Sequence, residues 1–135
     1  MIRFLFALCA VATFVLPSGS NAQEEPIRDV ITAQIEAFEA DDFATAFTYA
    51  SPTIQGMFGN PQNFGAMVKS GYPMVWRPDT LRFLALEERG GLLFQDVMVR
   101  DLDGALHILE YQMQEGENGW KINGVSIRRA TEGTA

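Results

Sequence analysis

The stretch that decides the fold runs from Leu81 to Arg128: LRFLALEERGGLLFQDVMVRDLDGALHILEYQMQEGENGWKINGVSIR. Its apolar residues alternate with polar ones in short runs. The runs break at Gly90-Gly91, at Asp101-Leu102-Asp103-Gly104 and at Glu117-Asn118-Gly119. Such breaks between alternating runs mark strands joined by hairpins. The pattern predicts strands over Leu81–Glu88, Leu92–Arg100, Ala105–Gln114 and Trp120–Arg128, running as an antiparallel meander.

Upstream of this segment the period lengthens. Ile27, Val30, Ile31, Ile35 and Phe38 recur at helical spacing, with Arg28, Asp29, Gln34 and Glu36 between them. Pro26 suits a first helical position, and Asp42 suits a cap for a short helix through Phe43, Ala46, Phe47 and Ala50. Ser51-Pro52 and Asn60-Pro61 each read as a cap followed by a proline start. Phe64, Met67 and Val68 form the apolar stripe of the latter helix, and Gly71 is its expected stop. Helices first and strands after predict an α+β domain, with the helices packed on one face of an antiparallel sheet of about four strands. Two apolar sets are expected on opposite sheet faces: Leu84, Leu86, Leu93, Val97, Val99, Leu106 and Ile108, and Phe83, Phe94, Met98, Leu109, Tyr111 and Met113. Two apolar faces need two covers. The helices supply one, and a second copy of the chain, forming a homodimer, is expected over part of the other.

The N-terminal segment reads as an address. Arg3 precedes an unbroken apolar run from Phe4 to Leu16, Pro17-Ser18-Gly19 ends the run, and Ser20-Asn21-Ala22 has the small-x-small form that a signal peptidase reads. The run is shorter than the roughly 20 apolar residues of a spanning helix. Residues 1–22 are therefore expected to be a signal peptide and residues 23–135 one domain, periplasmic or secreted, without a membrane span once the signal is removed. Cys9 is the single cysteine and lies in the leader, so the processed chain would hold neither disulfide nor thiol nucleophile. With 17 acidic residues against 10 basic ones, the chain lacks the cationic footprint that nucleic acid requires.

Three motifs carry a resemblance: Tyr49-Ala50-Ser51-Pro52, the run Gly71-Tyr72-Pro73-Met74-Val75-Trp76-Arg77-Pro78, and Gly119-Trp120-Lys121-Ile122-Asn123-Gly124-Val125. With them the chain resembles an uncharacterised family of exported bacterial proteins, domain of unknown function 4864. The order of elements is also similar to the cone-shaped, cystatin-like superfamily of nuclear transport factor two, ketosteroid isomerase and the polyketide cyclases. That resemblance implies a sheet wrapped around helices to leave a pocket. It implies no activity, because the superfamily holds enzymes, binding modules and dimerisation modules alike.

Two constellations could carry chemistry. If the second hairpin pairs Arg100 with Ala105, then Asp96, His107 and Tyr111 share one sheet face as diagonal neighbours. A carboxylate, an imidazole and a phenol in an apolar cone would make an acid–base set for an isomerase or lyase needing no cofactor. A one-residue bulge at Gly104 would instead send them to different faces. The second is the Tyr72–Pro78 run, where Tyr72, Trp76 and Arg77 could clamp a small acidic or apolar ligand at a pocket rim. Alternatively, Trp76 plugs the cone and Arg77 pairs with a carboxylate on the helices. The phenylalanines at 38, 43, 47, 58, 64, 83 and 94 line a cavity or form the core. One histidine and no mature cysteine leave zinc without its usual ligands, and no cofactor fingerprint is present. The primary expectation is a small-ligand-binding or protein-interaction module, with the acid–base enzyme as the alternative.

Overall fold

The computed structural model describes residues 20–129. Five helices, α1 (Ser20–Glu39), α2 (Phe43–Thr48), α3 (Pro52–Phe58), α4 (Pro61–Gly71) and α5 (Pro73–Trp76), precede four strands, β1 (Thr80–Arg89), β2 (Leu92–Arg100), β3 (Leu106–Gly116) and β4 (Gly119–Arg129). The strands form one antiparallel meander in the order β1-β2-β3-β4. Of the expected signal peptide, residues 1–22, residues 1–19 lie outside the described residues and Ser20–Ala22 open α1. Among those described, no helix is long and apolar enough to cross a membrane.

The helix starts follow local chemistry. Asp42, Ser51 and Asn60 each accept a hydrogen bond from a backbone N–H three residues on, and Pro52 and Pro61 occupy first helical positions whose N–H would have no partner. Two local expectations change. Helix α1 begins at Ser20, so Pro26 sits inside it; proline's φ already suits a helix, and only one hydrogen bond is forgone. The Tyr72–Pro78 run, whose two prolines favour extended backbone in the residues before them, winds into α5 from Pro73.

Helix α1 buries Ile27, Ile31, Gln34, Ile35 and Phe38, with Phe38 against the Phe43 and Phe64 rings and Gln34 bonded to the Ala46 carbonyl. It ends with Asp41 in the left-handed region at φ 54° and with the Asp42 N–H bonded to the Ala37 carbonyl at 2.8 Å, the hydrogen-bond pattern of a Schellman stop. The helix-facing side of the sheet is formed by Val97, Val99, Leu109, Tyr111 and Met113, with Leu81, Phe83, Leu86, Leu93 and Val125 packed around them. The apolar sets expected from the sequence are thus re-sorted. Phe83 joins Leu86, Leu93, Val97 and Val99 on the inner face, whereas Phe94, Met98, Leu106 and Ile108 lie outside that cluster.

The β1 bulge and the β2–β3 register cause the re-sorting, and a second bulge bends β4. In β1 one residue is extra: Leu84 and Ala85 together oppose Asp96, between the pairs Phe83–Val97 and Leu86–Gln95. In β4, Asn123 is extra between Ile122, opposite Met113, and Gly124, opposite Gln112. Each bends its strand and helps wrap the sheet around α1. Asn123 also receives the neighbouring motif. Ser51 is fully buried and its hydroxyl lies 2.7 Å from Asn123 Oδ1, while the Ser51 N–H donates to the Ile122 carbonyl and the Ile122 N–H to the Tyr49 carbonyl. The Tyr49–Pro52 and Gly119–Val125 motifs are therefore two halves of one seam. Ser51→Ala removes both the seam bond and the α3 cap. It should lower stability by about 1–2 kcal/mol in chemical denaturation; an unchanged midpoint would show that the seam does not need the hydroxyl.

Candidate functional site

The β2–β3 turn decides the fate of the expected acid–base set. Gly104 has φ +86°, the Asp101 N–H donates to the Ala105 carbonyl, and Asp101 Oδ1 accepts from the N–H groups of Asp103 and Ala105 at 2.9 Å each. The left-handed glycine inserts one residue into the turn. Arg100 consequently pairs with Leu106, not Ala105, and Asp96 pairs with Glu110.

The expected convergence of Asp96, His107 and Tyr111 is therefore corrected: the three do not meet. Asp96 lies on the outer face in an ion pair with Arg128 at 3.1 Å. Burial raises its carboxyl above the ordinary value, and Arg128 opposes that rise. His107 sits at the turn, with Nε2 2.8 Å from Asp101 Oδ2. That hydrogen bond, followed by the Ala105 N–H, holds the Asp101 carboxyl below its usual range. Tyr111 is on the inner face, opposite Gln95 and fully buried, and its hydroxyl has no partner among the described residues.

Burial pushes the Tyr111 phenol well above its usual value of 10.0. In alkaline solution the unfolded chain loses this proton near pH 10 while the folded chain keeps it. Stability therefore falls as pH rises past that point, by up to about 1.4 kcal/mol per pH unit. Tyr111→Phe should remove this alkaline slope. At neutral pH it should leave stability equal or up to about 1 kcal/mol higher, because an unpaired buried hydroxyl is removed. Denaturation at pH 7 and pH 11 checks both; a large loss at pH 7 would reveal a hidden partner for the hydroxyl.

Of the second constellation, Trp76 and Arg77 serve the end of α1. Trp76 Nε1 donates to Asp41 Oδ1 at 2.9 Å, and Arg77 donates to the same oxygen at 3.0 Å and to the Phe38 carbonyl at 2.7 Å. The guanidinium stacks over the indole, 4.2 Å from its centroid. These bonds hold the left-handed Asp41 and neutralise carbonyls at a negative helix terminus. Neither residue lines the main apolar cavity, which corrects the expected Tyr72–Trp76–Arg77 rim. Of the three, Tyr72 alone is found there.

That cavity, about 250 Å³, lies between α1, the α2–α3 junction, α4 and β4. Its wall is built by Phe38, Phe58, Phe64, Val68, Val75 and Ile122, and Met57, 70% exposed, stands at its edge. Two polar side chains reach it, Gln34 and Tyr72. The Gln34 amide nitrogen donates to the Ala46 carbonyl at 3.2 Å, and the Tyr72 hydroxyl donates to the Val125 carbonyl at 3.1 Å. Among the described residues, no carboxylate, ammonium, guanidinium or imidazole side chain lines it. In the sequence Gln34 stands with Arg28, Asp29 and Glu36 between the apolar residues of α1. Its spacing from Ile27, Ile31 and Phe38 puts it in the buried stripe, and that was the available signal.

A second, more polar hollow lies at the hairpin ends, where Glu88, Glu115, Gln112, Gln114 and Trp120 gather near Gln23.

The family model described as a domain of unknown function, DUF4864, matches residues 20–135. No curated protein matches the chain. Among solved structures, it is similar to an NTF-2 like protein of unknown function from Burkholderia xenovorans LB400, with TM-score 0.48, 19% identity, and coverage of 84% of this chain and 89% of that one. It is also similar to a proposed dehydratase from the NTF2-like family of Streptomyces avermitilis, with TM-score 0.48, 14% identity, and coverage of 83% and 99%.

Proposed function

The chain belongs to the DUF4864 family, and on that premise we propose that it is an exported binding module that holds a small, uncharged, largely apolar molecule in the cavity between α1, α3, α4 and β4. Family membership brings no activity with it, so one observation carries the reading: an apolar cavity of about 250 Å³ whose wall, among the described residues, contains no side chain charged at neutral pH. A concave apolar site with a few convergent polar groups is the usual form of a small-molecule site. An acidic ligand, allowed by the sequence, would find no cation there. The acid–base alternative loses its support because Asp96, His107 and Tyr111 are apart.

Export of the domain after removal of residues 1–22 belongs to this proposal, as does a homodimer through the outer sheet face. Phe94, Met98, Leu106 and Ile108 are available on that face, although Arg89 already covers the Phe94 ring at 4.1 Å.

The test is titration of residues 23–135 with the neutral dye N-phenyl-1-naphthylamine. Saturable fluorescence and a raised unfolding midpoint are expected. Val68→Trp, which fills the cavity from α4, should weaken the dye by at least about tenfold. Equal binding by that variant, or no binding by the parent, overturns the reading.

A further inference from the structure

The two polar side chains of the cavity select the ligand's own polar group. Resting on the binding reading above, we propose that the ligand class is a hydroxyl-bearing apolar molecule, a phenol or an alcohol, and not a carboxylic acid, ether or hydrocarbon.

The argument is an inventory of donors and acceptors. The Gln34 amide is oriented without ambiguity, because its partner, the Ala46 carbonyl, can only accept. Nitrogen therefore faces Ala46, and Oε1 is on the other branch of the amide. Oε1 takes no hydrogen bond among the described residues, although Gln34 is 3% exposed and lines the cavity. The Tyr72 hydroxyl has committed its proton to the Val125 carbonyl, another group that can only accept. What Tyr72 offers the cavity is the lone pairs of its oxygen.

The wall thus presents two side-chain acceptors, Gln34 Oε1 and Tyr72 Oη, and one remaining amide hydrogen of Gln34. It presents no cation. A carboxylate would bring more acceptors and a negative charge to a site that already has acceptors in excess, and would be desolvated without a partner. A hydrocarbon or ether that covered the Gln34 oxygen would strip it of solvent without returning a hydrogen bond, which is the expensive outcome for a polar atom. A hydroxyl can donate to one acceptor and receive the remaining amide hydrogen. Rejection of analogues lacking the hydroxyl follows from the same asymmetry.

The experiment uses three probes of one ring size on the domain: 1-naphthol, 1-methoxynaphthalene and 1-naphthoate, titrated by calorimetry at neutral pH. Naphthol should bind about tenfold or more tighter than either of the others. In Tyr72→Phe the advantage of naphthol over the ether should shrink, with the ether's own affinity little changed. Gln34→Met should do the same. Because Gln34 also holds the Ala46 carbonyl, the Tyr72 variant keeps the test decisive if the Gln34 variant fails to fold. Equal affinities for naphthol and the ether overturn this proposal and leave the apolar-site reading standing, as does naphthoate binding tightest. Failure of all three probes and of N-phenyl-1-naphthylamine overturns the site itself.

Discussion

Replacing Phe64 with alanine lowers the free energy of unfolding by about 3–5 kcal/mol. Phe64 is 6% exposed and stands at the centre of an aromatic cluster, with ring centroids 5.7 Å from Phe38, 5.5 Å from Phe47 and 5.7 Å from Phe58. Each neighbour comes from a different segment: α1, α2 and α3. Truncation removes the transfer energy of the ring, forfeits three tilted ring contacts, and extends a cavity that already exists beside it. Domains of this kind have only about 5–15 kcal/mol to lose, so the variant should melt at a much lower temperature. Urea denaturation reads the change as a lower midpoint at an unchanged slope. A loss below about 1 kcal/mol, the range of surface substitutions, would mean that the helices do not meet on this ring. Phe64→Leu, which keeps more of the volume, should lose distinctly less.

The second large effect is expected at Gln95. This side chain is fully buried on the inner face of the sheet, where a polar residue needs a reason. Its amide nitrogen lies 3.0 Å from the Leu84 carbonyl, 3.4 Å from the Ala85 carbonyl and 2.9 Å from the Asp96 carbonyl. Leu84 and Ala85 are the two residues of the β1 bulge that oppose a single partner residue, where the ladder is interrupted. Gln95 is the internal donor that replaces it. Gln95→Leu keeps the size of the side chain and removes the donor. It should reduce stability by about 1–3 kcal/mol, because the loss from carbonyls stranded near the inner face outweighs the relief of removing Gln95 Oε1, which is buried without a partner among the described residues. It should also loosen β1 first, since β1 is an edge strand held on one side only. Hydrogen exchange should therefore accelerate in Thr80–Arg89 before it does in β3. A neutral substitution, with β1 protected as before, would show that the bulge carbonyls find other donors.

Much of the architecture was readable from local chemistry. Ser51-Pro52 and Asn60-Pro61 start helices because a side-chain acceptor and a missing N–H solve the same problem at a helix terminus. Gly90-Gly91 turns a hairpin because both residues take positive φ, 57° and 81°. The order of helices and strands then follows from the change of period at residue 80. The candidate site was much less legible. Its wall comes from α1, α3, α4 and β4, and no periodicity in one segment reports on what faces it from another. Trp76 and Arg77 looked like ligand contacts because aromatic and guanidinium groups suit both tasks, and only the position of Asp41 shows which task they perform.

The amino-acid sequence on its own determined the α+β class, the extents of most elements and the meander, because caps, prolines, glycine turns and alternation act within a few residues of themselves. Tertiary structure alone decided which side chains meet. One left-handed glycine at 104 moves the β2–β3 pairing by a residue, and with a side-chain period of two that step puts Asp96 on the face opposite His107 and Tyr111. The cavity beneath Gln34 and Tyr72 likewise exists only once segments far apart in the chain have packed, since its walls are long-range contacts that local preferences do not encode.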